Sequence, residues 1–559
     1  MCCNLKKIGI GLLMIFTLGL SANASRIIVK NQSDFDRLTV AVNELLVSGK
    51  DVEVSIRKGV YYYSEKHLLL KDINKPGLSV RIKGNGAVLL PKAAEDNDIT
   101  PYVAVIRNLQ DVNLWSDMYS STEKVSVFDA NKNLCRIKRG ESLNAKEGDY
   151  ILLTKWYTSG LYKIEKVERD YIFFTAPNTR YRENYGEYDV NFDYVYNKSF
   201  PRYKLLMIDK VADNCYVCSS SSFLATQNSL FTKVELSGLT FVGGSGQESV
   251  IKFDGVKSND IKLANCHFKD LRNKAIAGIG TDNIAIDKCT FSNCYSLVVT
   301  TDENCSNFVV KNCEWEECGQ LLENPSCIIA SGTNYLIKDN SFVDFYGRAL
   351  TLGVYFSKGN SVHSSGVVEN NEFYFTSSFL ESAHQNLLMD NGAIYVNTLN
   401  EHLEIRNNYI HDFAGAGDNR GIFLDDGAKN VKVTGNMIIN IPNGAAISAR
   451  RVKGVEKTVG AANVGNVIQG NVLEGTVRFE GNENNDNGCV YGENFILVTP
   501  QAEAFKNTLK NVSMVADDVI MAYTGQEKGK VGLDGNSYKQ LRKSPLWKQV
   551  KKRVVKKNK

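Results

Sequence analysis

The chain has 559 residues, 43% hydrophobic and 23% charged, with a formal net charge of +4. That is globular usage and excludes a disordered or collagen-like chain. Beyond the N-terminus no apolar run approaches the ~20 residues that span a bilayer, so no integral membrane segment is expected.

Lys6 and Lys7 precede an apolar stretch from Ile8 to Leu20, followed by Ala22-Asn23-Ala24. A charged start, a short apolar core and a small-x-small site read as a secretory signal peptide over 1–24. A secreted or periplasmic protein follows, with a mature chain from Ser25. At the other end, the last 19 residues carry nine Lys or Arg and no acid, leaving a net charge of −7 from Ser25 to Gln540. The basic tail is a solvated end or a holdfast for a polyanion or membrane surface. Nothing suggests a nucleic-acid module. Thirteen cysteines become 11 after cleavage, an odd number, so at least one thiol stays unpaired. Cys215-Tyr-Val-Cys218 has no matching second pair and is a weak metal or redox signal.

Phe35 to Leu46 with the runs GVYYYSEKHLLL and VRIKGNGAVLLP reads as a capping helix and first strands, residues 25–99. Residues 100–230 break the pattern. GDYILLTKWYTSGLYKIEKVERDYIFFT (Gly148–Thr175) gives three short strands with polar turns, an inserted antiparallel β subdomain. It carries Trp156, Tyr157, Tyr162, Tyr181, Tyr185 and Tyr188, which are either sugar-stacking aromatics or core.

From 231 to 485 the chain repeats. IKLANCHF (Ile261–Phe268), FVVKNCEW (Phe308–Trp315), YLIKDNSF (Tyr335–Phe342), LEIRNNYI (Leu403–Ile410) and NVIQGNVL (Asn466–Leu473) are five of the copies. Each is an alternating strand, a tight bend and an apolar residue, recurring every 23 to 37 residues. Period two means strands, and copies must stack to share a core. A column of Cys266, Cys289, Cys313, Asn340, Asn371, Asn408, Asn436 and Asn471 runs through the bends. Asn tolerates the left-handed backbone of a sharp bend, and stacked amides can bond to one another. Cys294 and Cys318 form a second column; interior stacks are expected, with a disulfide among them the alternative. Residues 486–559 read as an irregular C-terminal region.

This repeat resembles the right-handed parallel β-helix of the pectate-lyase-like superfamily. The fold expected is all-β: a right-handed parallel β-helix, or solenoid, with the inserted antiparallel β subdomain. The resemblance implies a secreted carbohydrate-active enzyme like the β-helix glycoside hydrolases, fucosidase-like and galactosidase-like groups included.

A second strand lies between copies: KAIAGIG, YSLVVTT, SCIIASG, RALTLGV, GAIYVNT, RGIFLDD, AAISARR and TVRFEG. Alternation puts Ile276, Leu297, Ile328, Leu350, Ile394, Ile422 and Ile447 inside. Three positions on, an outward column reads Ile279, Thr300, Ser331, Gly353, Asn397, Asp425, Arg450, Glu480. Beside it run Tyr395, Phe423, Ser448 and Arg478. The face turns aromatic and ionic only over its last four coils, which also carry the long loops. His384, Asp390, His411, Asp412, Asp418, Arg420 and Asp426 stand around it.

Glycoside hydrolysis needs a carboxylic acid to protonate the leaving oxygen and a carboxylate as base or nucleophile. Asp425 and Glu480 lie two coils apart, about 9.6 Å by strand spacing; Asp418 or Asp390 supplies a nearer partner. Arg450 and His411 complete the candidate catalytic set. Asn397, Tyr395, Phe423, Asp426, Arg420, His384 and Arg478 are candidates for substrate binding, the two rings by stacking on a sugar. A surface ion-pair ladder needing no substrate is the bland alternative, as is a turn role for Asp426. A polysaccharide or oligosaccharide substrate and no cofactor are expected. The rival class is a uronate lyase or epimerase using Arg420, Lys429, Arg450, Arg451 or His411, where calcium enters. A third is a non-catalytic carbohydrate-binding solenoid, which predicts a long even aromatic groove.

Overall fold

The computed structural model describes residues 24–64 and 66–92, short strand segments between 104 and 217, most of 222–497, and 512–515. Its larger gaps after 222 are 244–248, 320–325, 355–362, 382–391, 414–418, 442–444, 451–463 and 481–488. The chain winds as a right-handed parallel β-helix. A full coil gives two short strands to a 24-stranded sheet and a third to an 11-stranded sheet. One coil illustrates it: Lys257–Ala264, then His267–Lys269, then Ile276–Ile279.

Alternation forms these strands. Val431 and Val433 are buried while Lys432 is exposed, and the strand pairs in register with its predecessor, Leu403 against Val431 and Ile405 against Val433. Between the two strands of the larger sheet the chain bends sharply. The expected left-handed asparagines are corrected by one position. Asn265, Lys288, Asn312, Asp339, Asn370 and Asn407 have φ of 52° to 59°, followed by Gly435 and Gly470 at 65°. The ladder residue comes next and turns its side chain inward.

There the amides pair coil to coil. Asn340 Nδ2 donates to Asn371 Oδ1 at 2.9 Å, Asn371 to Asn408 at 3.0 Å, Asn408 to Asn436 at 3.0 Å and Asn436 to Asn471 at 3.0 Å. Asn494, which the repeat reading missed, closes the run at 2.9 Å. Each Oδ1 also accepts the backbone N–H of the preceding ladder residue, and each Nδ2 also reaches a carbonyl, as Asn408 does to Val368 at 3.0 Å. Buried amides left without partners would each cost about 1–3 kcal/mol, so this ladder is satisfied or not viable. Cys266, Cys289 and Cys313 continue it as buried free thiols, and Cys294 and Cys318 are likewise buried and free. Their sulfurs lean on carbonyls, for example Cys313 on Lys311 at 3.2 Å.

Two residues after the ladder the apolar column is a stack of rings. Phe241, Phe268, Phe291, Trp315, Phe342 and Phe373 follow at centroid distances of 5.0, 4.9, 3.9, 5.5 and 4.8 Å, tilted by no more than 15°. Burial supplies most of the energy, about 2–3 kcal/mol per ring, and stacking adds about 1 kcal/mol per pair.

The open N-terminal end is plugged. Asn31 caps a short helix by accepting from Asp34 N at 2.9 Å, and Phe35, Leu38, Val42 and Leu46 bury against the first coil. Leu68–Lys71 pairs directly with Leu224–Gln227, and Val80 with Val234. The chain therefore leaves the solenoid within one coil, after Asn74–Pro91, and rejoins that coil at Leu224–Gln227. Seven of the described strands in between form one sheet with antiparallel pairing, and Ala104–Ile106 pairs antiparallel with Cys215–Val217 in a separate two-stranded sheet. Trp156, Tyr157, Tyr181, Tyr185 and Tyr188, and the side chain of Tyr162, lie outside the described residues. So do residues 1–23, where most of the expected signal peptide 1–24 falls. Past residue 485 the parallel ladder runs on through Asn494–Leu497 to Val512–Val515.

Asn408→Ala strands the amides of Asn371 and Asn436 and the Val368 carbonyl. It should lower unfolding free energy by about 3 kcal/mol, against no more than about 0.5 kcal/mol for the exposed Gln469→Ala. Denaturant midpoints of the two variants check this; equal midpoints would refute the ladder's role.

Candidate functional site

The 11-stranded sheet stacks its strands in register, so each outward position becomes a column. Leu350 pairs with Ile394, Ile394 with Ile422, and Ile422 with Ile447. One coil departs from expectation. Val299, not Leu297, pairs with Ile276, and Thr300 pairs with Ala277. Thr300 thus belongs beside Tyr395, and Asp302 takes its expected place. A slip of two residues preserves in–out alternation, so the pattern Leu-Val-Val did not reveal it. Asp302 serves a turn there, its Oδ1 accepting from Gly280 N at 2.9 Å and Asn304 N at 3.2 Å.

Over the later coils the expected columns form. Tyr395 pairs with Phe423, Phe423 with Ser448, and Ser448 with Arg478. Asp425 follows Leu424, which pairs with Ala449, and so falls beside Arg450; Arg450 pairs with Glu480. Asp425 ends the strand Arg420–Leu424. Its N–H donates to Val396 O at 3.0 Å and its carbonyl accepts from Ala428 N at 3.0 Å. Gly427, at φ 73°, makes the intervening turn.

Although its position points outward, Asp425 is only 3% exposed. The Tyr395 hydroxyl donates to its Oδ2 at 2.7 Å. Arg450 Nη1 stands 3.8 Å from its Oδ1. Both partners come from adjacent coils, one on each side.

The two aromatic rings are not open platforms. Tyr395 and Phe423 are buried and meet edge to face at 5.4 Å. A guanidinium covers each: Arg348 lies 3.6 Å from the Tyr395 ring centre, Arg420 3.8 Å from that of Phe423. Desolvated cation–π pairs of this kind contribute about 2 kcal/mol each. The sugar-stacking role expected for these rings is corrected accordingly: their faces are occupied. Arg348 was missed in the sequence. Its signal was there, because RALTLGV and RGIFLDD open on arginine at the same strand position, with Gly392 at that position in the coil between. A Cβ on Gly392 would come within 3.2 Å of Phe423 Cβ.

Other candidates disperse. His411 lies on the larger sheet, in register with Tyr374 and Ile439. Its ring sits between Tyr374 and Tyr409 at 4.9 and 4.1 Å. Nδ1 meets Asp412 Oδ2 at 2.7 Å and Nε2 is 3.5 Å from Glu372 Oε1. It is thus engaged by its own sheet rather than by Asp425. Burial pulls its pKa down, but the Asp412 and Glu372 carboxylates outweigh that and raise it. Asn397 is half-buried, its carbonyl accepting from Asn400 Nδ2 at 2.6 Å. Burial lowers the pKa of Lys429. For Glu480 and Arg478 the backbone alone is described; His384, Asp390, Asp418, Asp426 and Arg451 lie outside the described residues. Among the described residues no group of three or more His, Cys, Asp or Glu is gathered to hold a metal, and no helix is long and apolar enough to cross a membrane.

No family model matches the sequence, and no curated protein matches it. Similar solved structures exist. One described as a glycoside hydrolase is 9% identical, covers 84% of this chain and 96% of its own, and has a TM-score of 0.49. A mannuronic acid specific polysaccharide family 6 lyase from human gut microbiota is 10% identical, covering 96% and 100%, with a TM-score of 0.38. The tailspike protein gp49 from Pseudomonas phage LKA1 is 10% identical, covering 82% and 73%, with a TM-score of 0.22.

A histidine with a raised folded pKa stabilises the protein fully below its unfolded value of about 6.5 and loses that contribution as pH climbs through the folded value. His411→Asn should therefore lower the thermal midpoint more at about pH 5.5 than at about pH 8.5. A pH-independent difference between variant and wild type would show that the imidazolium contributes nothing.

Proposed function

We propose that the chain is an exported carbohydrate-active enzyme that hydrolyses glycosidic bonds of a polysaccharide on the outer face of the 11-stranded sheet. One observation carries this reading: the buried Asp425 carboxylate is gripped by the Tyr395 hydroxyl and faced by Arg450, where the sheet face turns aromatic and ionic. A solenoid that only binds glycans needs an even groove, and has no use for a buried carboxylate at one point. A surface ion-pair ladder would leave Asp425 in water.

Glu480 is the in-register second carboxylate. Two strand spacings put it about 9.6 Å away, at the upper edge of the separation that leaves room for a water in an inverting enzyme. Asp418 and Asp390 are the alternatives on loops.

The second reading is a lyase or epimerase acting on uronates. The Arg450 guanidinium on this face, with the depressed pKa of Lys429, favours it. Such a face would neutralise a substrate carboxylate, and a calcium ion would share that task.

Purified protein assayed on a polysaccharide panel separates the two. New reducing ends without ultraviolet absorbance of unsaturated uronates are expected, and Asp425→Asn should cut turnover about 10³-fold while the protein stays folded at assay temperature. Both signals rising together would replace hydrolysis by lysis. An Asp425→Asn variant with full activity would remove Asp425 from the chemistry.

A further inference from the structure

We propose that Arg348 and Tyr395 are positioning residues that hold Asp425 as the ionised, proton-accepting carboxylate of the site, which leaves proton donation to the second carboxyl. This deepens the reading of Asp425 as catalytic and rests on it.

The three residues come from three successive coils: Arg348 from Arg348–Leu352, Tyr395 from Ile394–Val396, and Asp425 from the end of Arg420–Leu424. The Arg348 guanidinium lies over the Tyr395 ring, 3.6 Å from its centre, and both are buried. The phenol therefore cannot swing away without parting from the guanidinium. Its hydroxyl has one direction, and Asp425 Oδ2 is there at 2.7 Å.

A carboxylate this buried would by desolvation alone favour its neutral form. The two groups that face it act the other way. A hydroxyl donating to Oδ2 and a guanidinium 3.8 Å from Oδ1 both stabilise the anion. The remaining charged groups of the described elements around it are Arg420 at the start of its strand, Lys429 in the turn that follows, and Glu480 one coil beyond Arg450. All but Glu480 are positive. An acid that must carry its proton at working pH is placed in apolar or anionic surroundings; among the described residues Asp425 has the opposite.

In hydrolysis Asp425 then takes a proton from water as the water oxygen bonds to the anomeric carbon. The glycosidic C–O bond breaks, and the second carboxyl gives its proton to the leaving oxygen.

The first arm of the test needs no substrate. Thermal midpoints of wild type, Tyr395→Phe, Asp425→Asn and the double variant are measured at about pH 7. Tyr395→Phe should lose about 2 °C. The loss should vanish in the Asp425→Asn background. An equal loss in both backgrounds would mean a packed ring and overturn the proposal. If Tyr395→Phe does not fold, Arg348→Met takes its place in the same cycle.

The second arm uses the polysaccharide that wild type cleaves. Tyr395→Phe and Arg348→Met should move the acidic limb of kcat/KM up by about one pH unit, with Arg348→Lys partly restoring it. An unmoved limb with Asp425→Asn inactive overturns the positioning role and leaves Asp425 catalytic. Asp425→Asn with full activity overturns the catalytic reading instead, and the stability cycle still reports whether the Tyr395 hydroxyl holds the carboxylate.

Discussion

Coil-to-coil pairing of buried amides is the constraint on which the rest of this molecule depends. An asparagine inside a solenoid has two donors and an acceptor to satisfy, and no water to do it. Only an identical amide one strand spacing away, together with the backbone of its neighbours, meets that demand. From Asn340 to Asn494 each amide therefore requires the next to be in register. Earlier coils reach the same end with thiols and stacked rings, which pack without being left unsatisfied.

Register fixed from inside has an outward consequence. Each strand turns alternate side chains out, so a register held by the core aligns outer residues into columns as well. Loops of any length can be spliced between the aligned strands. That is how Tyr395, Asp425 and Arg450, each about 25 to 30 residues from the next, meet at hydrogen-bond and ion-pair distances. It is also how the segment between 92 and 222 can depart and return without disturbing the pairing of Leu68 with Leu224.

The outer face at Asp425 is not a loose array of charges. Arg348 and Arg420 spend their guanidiniums on aromatic rings, so the face is a packed polar layer lying over the solenoid core. Charges held there interact through less water than surface pairs do, which is why Tyr395 and Arg450 matter to Asp425. His411 shows the contrast. Near Asp425 in sequence terms, it is fixed on another sheet by its own carboxylates and tyrosines. A fold does not by itself fix a function, so the functional reading stands on Asp425 and its neighbours rather than on the fold.

The sequence by itself determined the fold and its columns. Alternating strands, the bend every 23 to 37 residues and the Cys–Asn column are local or repeated signals, and their physical meaning survives without coordinates. It also picked out Asp425, Arg450 and Tyr395 as neighbours, because in-register stacking converts alignment into proximity. Tertiary structure decided what alignment cannot. A shift of two residues is silent to alternation, so Thr300 moved to the Tyr395 column and Asp302 took its place. The left-handed residue and the inward amide are adjacent, and only the backbone angles separate Asn407 from Asn408. Whether an outward ring faces water or a guanidinium depends on side chains reaching across coils. That reach buried Tyr395 and Phe423, brought in Arg348 and gave His411 to a different face.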